Sequence, residues 1–192
     1  MVKLFRFTIV GEAPTDPVFV LIGAPHTSNW DFPITMAIVW ATGLDAVWLA
    51  KKEMFKGPTG ALFRWMGGVP VDRENPLGLV EAMIDLAQSG KHKAVLIAPE
   101  GGRNKGDYWK SGFRRIALGA HLNVGLCFVD RPTRQGGYGP VLTMTADIRA
   151  DMDMIRAFYS DKQGMRPGRF TPPLLREEVE TSGGTSRVTE GE

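Results

Sequence analysis

Short apolar runs alternate with amphipathic stretches along this chain, and that alternation predicts strands followed by helices. Val18-Phe19-Val20-Leu21-Ile22 is apolar throughout and flanked by turn residues, the pattern of a buried strand. The polar loop Ala24-Pro25-His26-Thr27-Ser28-Asn29 follows. Thr27, Ser28 and Asn29 are each good N-caps for a helix from Trp30 to about Thr42. Ala46-Val47-Trp48-Leu49, Ala94-Val95-Leu96-Ile97 and residues 123–129 predict further strands, with a strand-like piece over 141–144. Helices are expected over 58–66, 76–89, 111–120 and 151–159; Gly67-Gly68 stops the first and Gly90 the second. The brief extended piece Val69-Pro70-Val71 lies between those two. Strands alternating with helices imply an α/β fold, with a mostly parallel central sheet flanked by helices. From Glu177 onward Ser, Gly, Thr and Glu dominate, so an acidic, disordered tail over 177–192 is expected behind a folded body over 1–176.

A chain of 192 residues fits one domain. Its single cysteine, Cys127, excludes an internal disulfide framework and cysteine-rich zinc sites. Cys127 lies inside the apolar run 124–129 and reads as a buried strand residue, not a reactive thiol. The formal net charge of +2 hides an acidic tail behind a basic body, with cations gathered between Lys51 and Arg115. That bias suits anionic substrates or anionic lipid surfaces and is too weak for nucleic acid. The N-terminus has no long apolar segment or cleavage signal. The apolar window over 33–50 is interrupted by Asp45, Gly43 and two threonines, so it reads as a buried helix and strand, not a membrane span. The expected location is the cytoplasm, with the inner face of the membrane as the place of contact with lipid.

Three loops carry candidate chemistry, and each follows a strand or short extended segment. The ends of parallel strands are where open α/β sheets bind ligands. In the first, His26 precedes a helix and Asp31 sits in its first turn. A carboxylate accepting one ring N–H fixes the imidazole tautomer and leaves the other nitrogen as a base. By spacing alone the plainer reading is a polar helix start. In the second, Gly67-Gly68 permits close backbone approach, and Arg73 offers a planar fork to phosphate. The third, Pro99-Glu100-Gly101-Gly102-Arg103, sets an arginine beside two glycines whose N–H groups suit an anion. No phosphate-binding or nucleophile-elbow glycine motif occurs.

The ordered set is more specific than its parts. His26-Thr27-Ser28-Asn29-Trp30-Asp31 resembles the His-x-x-x-x-Asp block of the lysophospholipid acyltransferase superfamily, the 1-acylglycerol-3-phosphate acyltransferase-like family. Lys51-Lys52-Glu53-Met54-Phe55 with Gly67 to Arg73 resembles its second block. Pro99 to Arg103 resembles its Pro-Glu-Gly-Thr-Arg block, and residues 124–129 its apolar fourth. The likeness spans about residues 18–160 and implies a glycerolipid acyltransferase-like fold. It implies His26 as general base, Asp31 as its orienting partner, and Arg73 and Arg103 as holders of an anionic acceptor. Glu100, Gly101 and Gly102 would shape the pocket, with Lys51 also at the substrate. The implied co-substrate is acyl-CoA or acyl-carrier protein, the acceptor a lysolipid-like hydroxyl, and no metal or other cofactor is needed. Gly102 departs from the family's threonine, and the fourth block lacks its usual proline.

The stretch 51–66 sets Met54, Phe55, Leu62, Phe63, Trp65 and Met66 among Lys51, Lys52, Lys56 and Arg64. It fits equally an interfacial segment at an anionic membrane and a core helix with its cations in water. The residues themselves leave open a hydrolase using the same pair, with water as acceptor, or a non-catalytic module that binds anionic lipid.

Overall fold

A computed structural model describes residues 3–4, 6–71, 81, 84–85 and 88–183, with backbone alone at 3–4, 50–51 and 181–183. The strands are β1 (Lys3–Leu4), β2 (Phe7–Val10), β3 (Phe19–Gly23), β4 (Ala46–Lys51), β5 (Gly68–Val71), β6 (Ala94–Ile97), β7 (Asn123–Asp130) and β8 (Gln135–Thr143). They form one sheet in the order β1-β2-β8-β7-β3-β6-β4-β5. The five strands from β7 to β5 run parallel, while β8 pairs antiparallel to β7. The helices are α1 (Asp31–Ala41), α2 (Pro58–Trp65), α3 (Gly112–Ala120), α4 (Ile148–Tyr159) and α5 (Arg176–Gly183). A further helix passes through Glu81, Ile84, Asp85 and Gln88, within the stretch where the spacing predicts one.

Strand β3 explains the layering. Its side chains alternate between the faces as strand geometry requires. Val20 and Ile22 pack with Phe113, Ile116, Met152 and Tyr159 on the face covered by α3 and α4. Phe19 and Leu21 pack with Ile34, Ile38 and Val39 of α1 on the other. Because both faces are covered, β3 is apolar at every position, as an interior parallel strand must be. The buried Tyr159 hydroxyl donates to the Cys127 carbonyl at 2.9 Å, with the Ile22 carbonyl at 3.3 Å, and so ties α4 to the seam between β3 and β7. Cys127 is fully buried in β7, and burial pushes its thiol up to about 12.

Two expected boundaries move, and the stretch over 51–66, left open above, divides. The tail expected to be disordered from Glu177 begins instead as α5. Glu178 accepts from Arg156 at 2.8 Å and from the Leu175 amide at 2.7 Å, and Glu177 accepts from Ser111 at 2.5 Å. The bonds to Arg156 and Ser111 are tertiary, and tail composition does not reveal them. The last strand is longer than 141–144, because Gln135, Gly136 and Gly137 pair with both β7 and β2. Within 51–66 the apolar residues divide: Phe55, Phe63 and Met66 pack into the core, while Met54, Leu62 and Trp65 stay exposed.

Candidate active site

Strands β3 and β6 are parallel neighbours, with Ile22 opposite Ile97, so their following loops leave the sheet side by side. This places His26 against Glu100. The His26 amide donates to one Glu100 oxygen, and the Thr171 amide donates to the other at 3.1 Å. Glu100 is therefore a brace between loops, a more specific part than pocket shaping. Burial raises its carboxyl to about 7, against the two amides, and the nearby Asp31 charge adds to the rise.

Asp31 begins α1 and is buried. The amides of Thr27 and Ser28 both donate to its Oδ2, the former at 2.6 Å, so the carboxylate folds the loop back over itself. The expected Thr, Ser or Asn side-chain cap of α1 is not used; Trp30 takes the cap position without a side-chain bond. His26 Nδ1 lies 3.9 Å from Asp31 Oδ2, an ion-pair distance longer than a hydrogen bond. Asp31 Oδ1 is buried and, among the described residues, has no hydrogen-bond partner. A ring movement of about 1 Å brings Nδ1 into range of this carboxylate, and catalytic hydrogen bonds commonly tighten only when substrate binds. Burial lowers the His26 pKa below its ordinary 6.5, and the Arg103 charge lowers it further. The imidazole is thus held neutral near pH 7, as a base must be. Burial raises the Asp31 carboxyl, opposed by the Ser28, Thr27 and Met165 amides.

A cavity of about 350 Å³ adjoins His26. It is lined by residues 27–30 together with Arg103, Asn104, Arg166 and Arg169. Gly101 adopts φ +69°, a left-handed turn that sends the chain past the Lys110 side chain. Gly102 faces open space, so the side chain the family carries there has room. Lys51 closes β4, its backbone paired with Val71. The Lys51 side chain and the whole of Arg73 lie outside the described residues. His26, Asp31, Glu100 and Arg103 are therefore brought together.

The sequence reading passed over the strap that follows α4. Its amides reach the loops of His26 and Glu100 and the end of β7: Arg166 N–H to Thr27 Oγ1 at 2.9 Å, Thr171 N–H to Glu100 at 3.1 Å, and Gln163 N–H to Asp130 at 2.8 Å. A Cβ on Gly164 would meet Pro25 and Thr27 at 2.9 Å, so the strap lies directly on the histidine loop. The run Arg166-Pro167-Gly168-Arg169, two cations around a turn, was the only signal available.

An α/β sheet carrying a histidine–carboxylate pair beside an arginine-lined cavity is an arrangement suited to acyl or phosphoryl substrates. A family model described as Acyltransferase matches residues 6–138, and the chain belongs to that family. It is also similar to a 1-acyl-sn-glycerol-3-phosphate acyltransferase of Streptococcus pneumoniae, 31% identical over 114 residues. The match covers 57% of this chain and 40% of that relative.

Proposed function

We propose that this protein is an O-acyltransferase that moves a fatty acyl group from acyl-CoA or acyl-carrier protein to a hydroxyl of a lysophospholipid-like acceptor of the 1-acylglycerol-3-phosphate type. The observation that carries the reading is the neutral, half-buried His26 within 3.9 Å of the buried Asp31, on a loop that opens onto Arg103. The free ring nitrogen takes the acceptor's hydroxyl proton while that oxygen attacks the thioester carbonyl. The tetrahedral intermediate collapses, the C–S bond breaks, and the imidazolium returns the proton to the departing thiolate. Asp31 fixes the tautomer and stabilises the transient imidazolium. Arg103, with Arg73, holds the acceptor's anionic group. The other nucleophiles nearby do not compete. Cys127 is sealed in the sheet, and Ser28 is buried with its Oγ accepting from the Trp30 amide at 3.2 Å. Direct transfer as written uses no cofactor beyond the acyl thioester.

The test is purified protein with labelled acyl-CoA against a panel of lysolipids, read by mass spectrometry. An ester product is expected, falling about 10²- to 10⁴-fold in His26→Ala and Asp31→Asn. Thioester loss without ester would make the protein a hydrolase. Ligand binding with no product in any combination would make it a binding module.

The same reading places the protein at the inner face of the cytoplasmic membrane. No described helix is long and apolar enough to cross a membrane. Support for surface contact comes from Met54, Leu62 and Trp65, which are joined by Trp40 of α1, its ring 6.1 Å from Trp65. Lys56 and Arg64 lie beside them, a pattern suited to anionic lipid. Co-sedimentation with anionic vesicles, weakened by salt and by Trp40→Ser with Trp65→Ser, is expected. Protein that stays in the supernatant at low salt sinks this part.

A further inference from the structure

We infer that the strap after α4 builds a second anion subsite, in which Arg166 and Arg169, lining the same cavity as Arg103, take a phosphate group of a phosphorylated substrate. These two arginines lie beyond residues 6–138, the span matched by the family model.

The strap is anchored before it presents charge. Its hydrogen bonds to Thr27, Glu100 and Asp130 fix its path from three sides. The Thr171 hydroxyl accepts from the Gly106 amide at 2.8 Å, and the Thr171 carbonyl accepts from the Trp109 indole at 2.7 Å, which ties the strap to the loop carrying Arg103. Within it the Arg169 amide donates to the Arg166 carbonyl at 3.2 Å, so one turn delivers both side chains to the same cavity. Among the described residues no carboxylate pairs with Arg103, Arg166 or Arg169. Three guanidinium groups around one cavity repel each other until an anion sits between them. Planar forks are the side chains best matched to phosphate oxygens. Asn104 and Asn29 add neutral donors to the same lining. The volume, about 350 Å³, falls among small-ligand sites, which run roughly 300–1,000 Å³.

The phosphate belongs either to the acceptor or to the CoA part of the donor, and the chemistry is shared. Which substrate brings it rests on the acyl-transfer reading; the subsite itself does not. The experiment is calorimetric binding to wild type, Arg166→Gln, Arg169→Gln and the double variant. Arg149→Gln, at the far end of α4, controls for net charge, and urea midpoints confirm folding. The probes are two pairs: 1-hexanoylglycerol 3-phosphate against 1-hexanoylglycerol, and CoA against dephospho-CoA. The double variant is expected to lose about 10- to 100-fold in affinity for the phosphorylated member of one pair. The partner lacking that phosphate, and the Arg149 variant, should be unaffected. Loss in the first pair assigns the subsite to the acceptor, and loss in the second to the donor. Equal weakening of both members of a pair reveals a structural role only and overturns the inference, as does unchanged affinity throughout. If the double variant does not fold, Arg166→Lys, which keeps charge and loses the fork, is expected to show the same discrimination at smaller size. Discrimination in binding without any acyl product would leave the subsite standing and remove the transfer reading.

Discussion

Glu100 carries opposing demands, and replacing it with alanine separates them. Its two oxygens accept the amides of His26 and Thr171, and only 8% of the residue is exposed. Glu100→Ala leaves two buried N–H groups without an acceptor, at about 1–3 kcal/mol each. Against this, burial has raised the carboxyl from 4.5 to about 7, so the ionised side chain is itself a burden on the folded state. For a carboxyl raised on folding, that burden is absent below pH 4.5, grows between 4.5 and about 7, and is complete above. A rise of that size corresponds to about 3 kcal/mol. The variant should therefore cost most in acid: several kcal/mol near pH 5, shrinking by about 2–3 kcal/mol at pH 8. Urea unfolding followed by tryptophan fluorescence at both pH values reads this directly, and the variant-minus-wild-type difference cancels the other titrating groups. A penalty that is the same at pH 5 and pH 8, or one under about 0.5 kcal/mol throughout, would refute the brace and its raised carboxyl together.

Other perturbations test separate links. The acid limb of kcat/KM should lie below 6.5, activity rising as His26 loses its proton, and Arg103→Ala should move that limb upward whatever it does to the maximum; a limb that stays put removes Arg103 from the field at His26. Tyr159→Phe should lower stability by about 1–2 kcal/mol in urea melts, because two strand carbonyls lose their buried donor; an unchanged midpoint would show that another group satisfies them. Gly137→Ala should cost about 2–4 kcal/mol, since a Cβ there would come within 1.9 Å of the Val10 carbonyl oxygen at φ +151°; a near-neutral result would mean that β2 and β8 do not pair this closely in solution.

Elements whose reasons are local were legible in the sequence, and those whose reasons are distant were not. Strands β3, β4, β6 and β7 are buried on both faces, so their apolar runs announce them. Strand β8 contains Gly136, Gly137, Gly139 and Pro140, a composition that reads as a turn. Its glycines answer close packing instead: a Cβ on Gly136 would meet Ile38 at 2.7 Å, and one on Gly139 the Phe158 ring at 2.3 Å. The candidate site divides the same way. His26 and Asp31 are near in sequence and resemble a known block, so they could be named. That Glu100 would brace the His26 amide needed the adjacency of β3 and β6, which no spacing contains.

The strap sharpens the point. Residues 161–175 show no strand or helix period, because apart from one turn at 166–169 their hydrogen-bond partners, Thr27, Glu100, Asp130 and Trp109 among them, lie elsewhere in the chain. Backbone groups that are satisfied at long range impose no repeat on the sequence that carries them. Yet these bonds hold the loops of His26, Glu100 and Arg103 in one frame. Loosening the strap should therefore disturb the geometry of a site to which its own sequence gives almost no clue, and catalytic geometry is sensitive to displacements of about 1 Å.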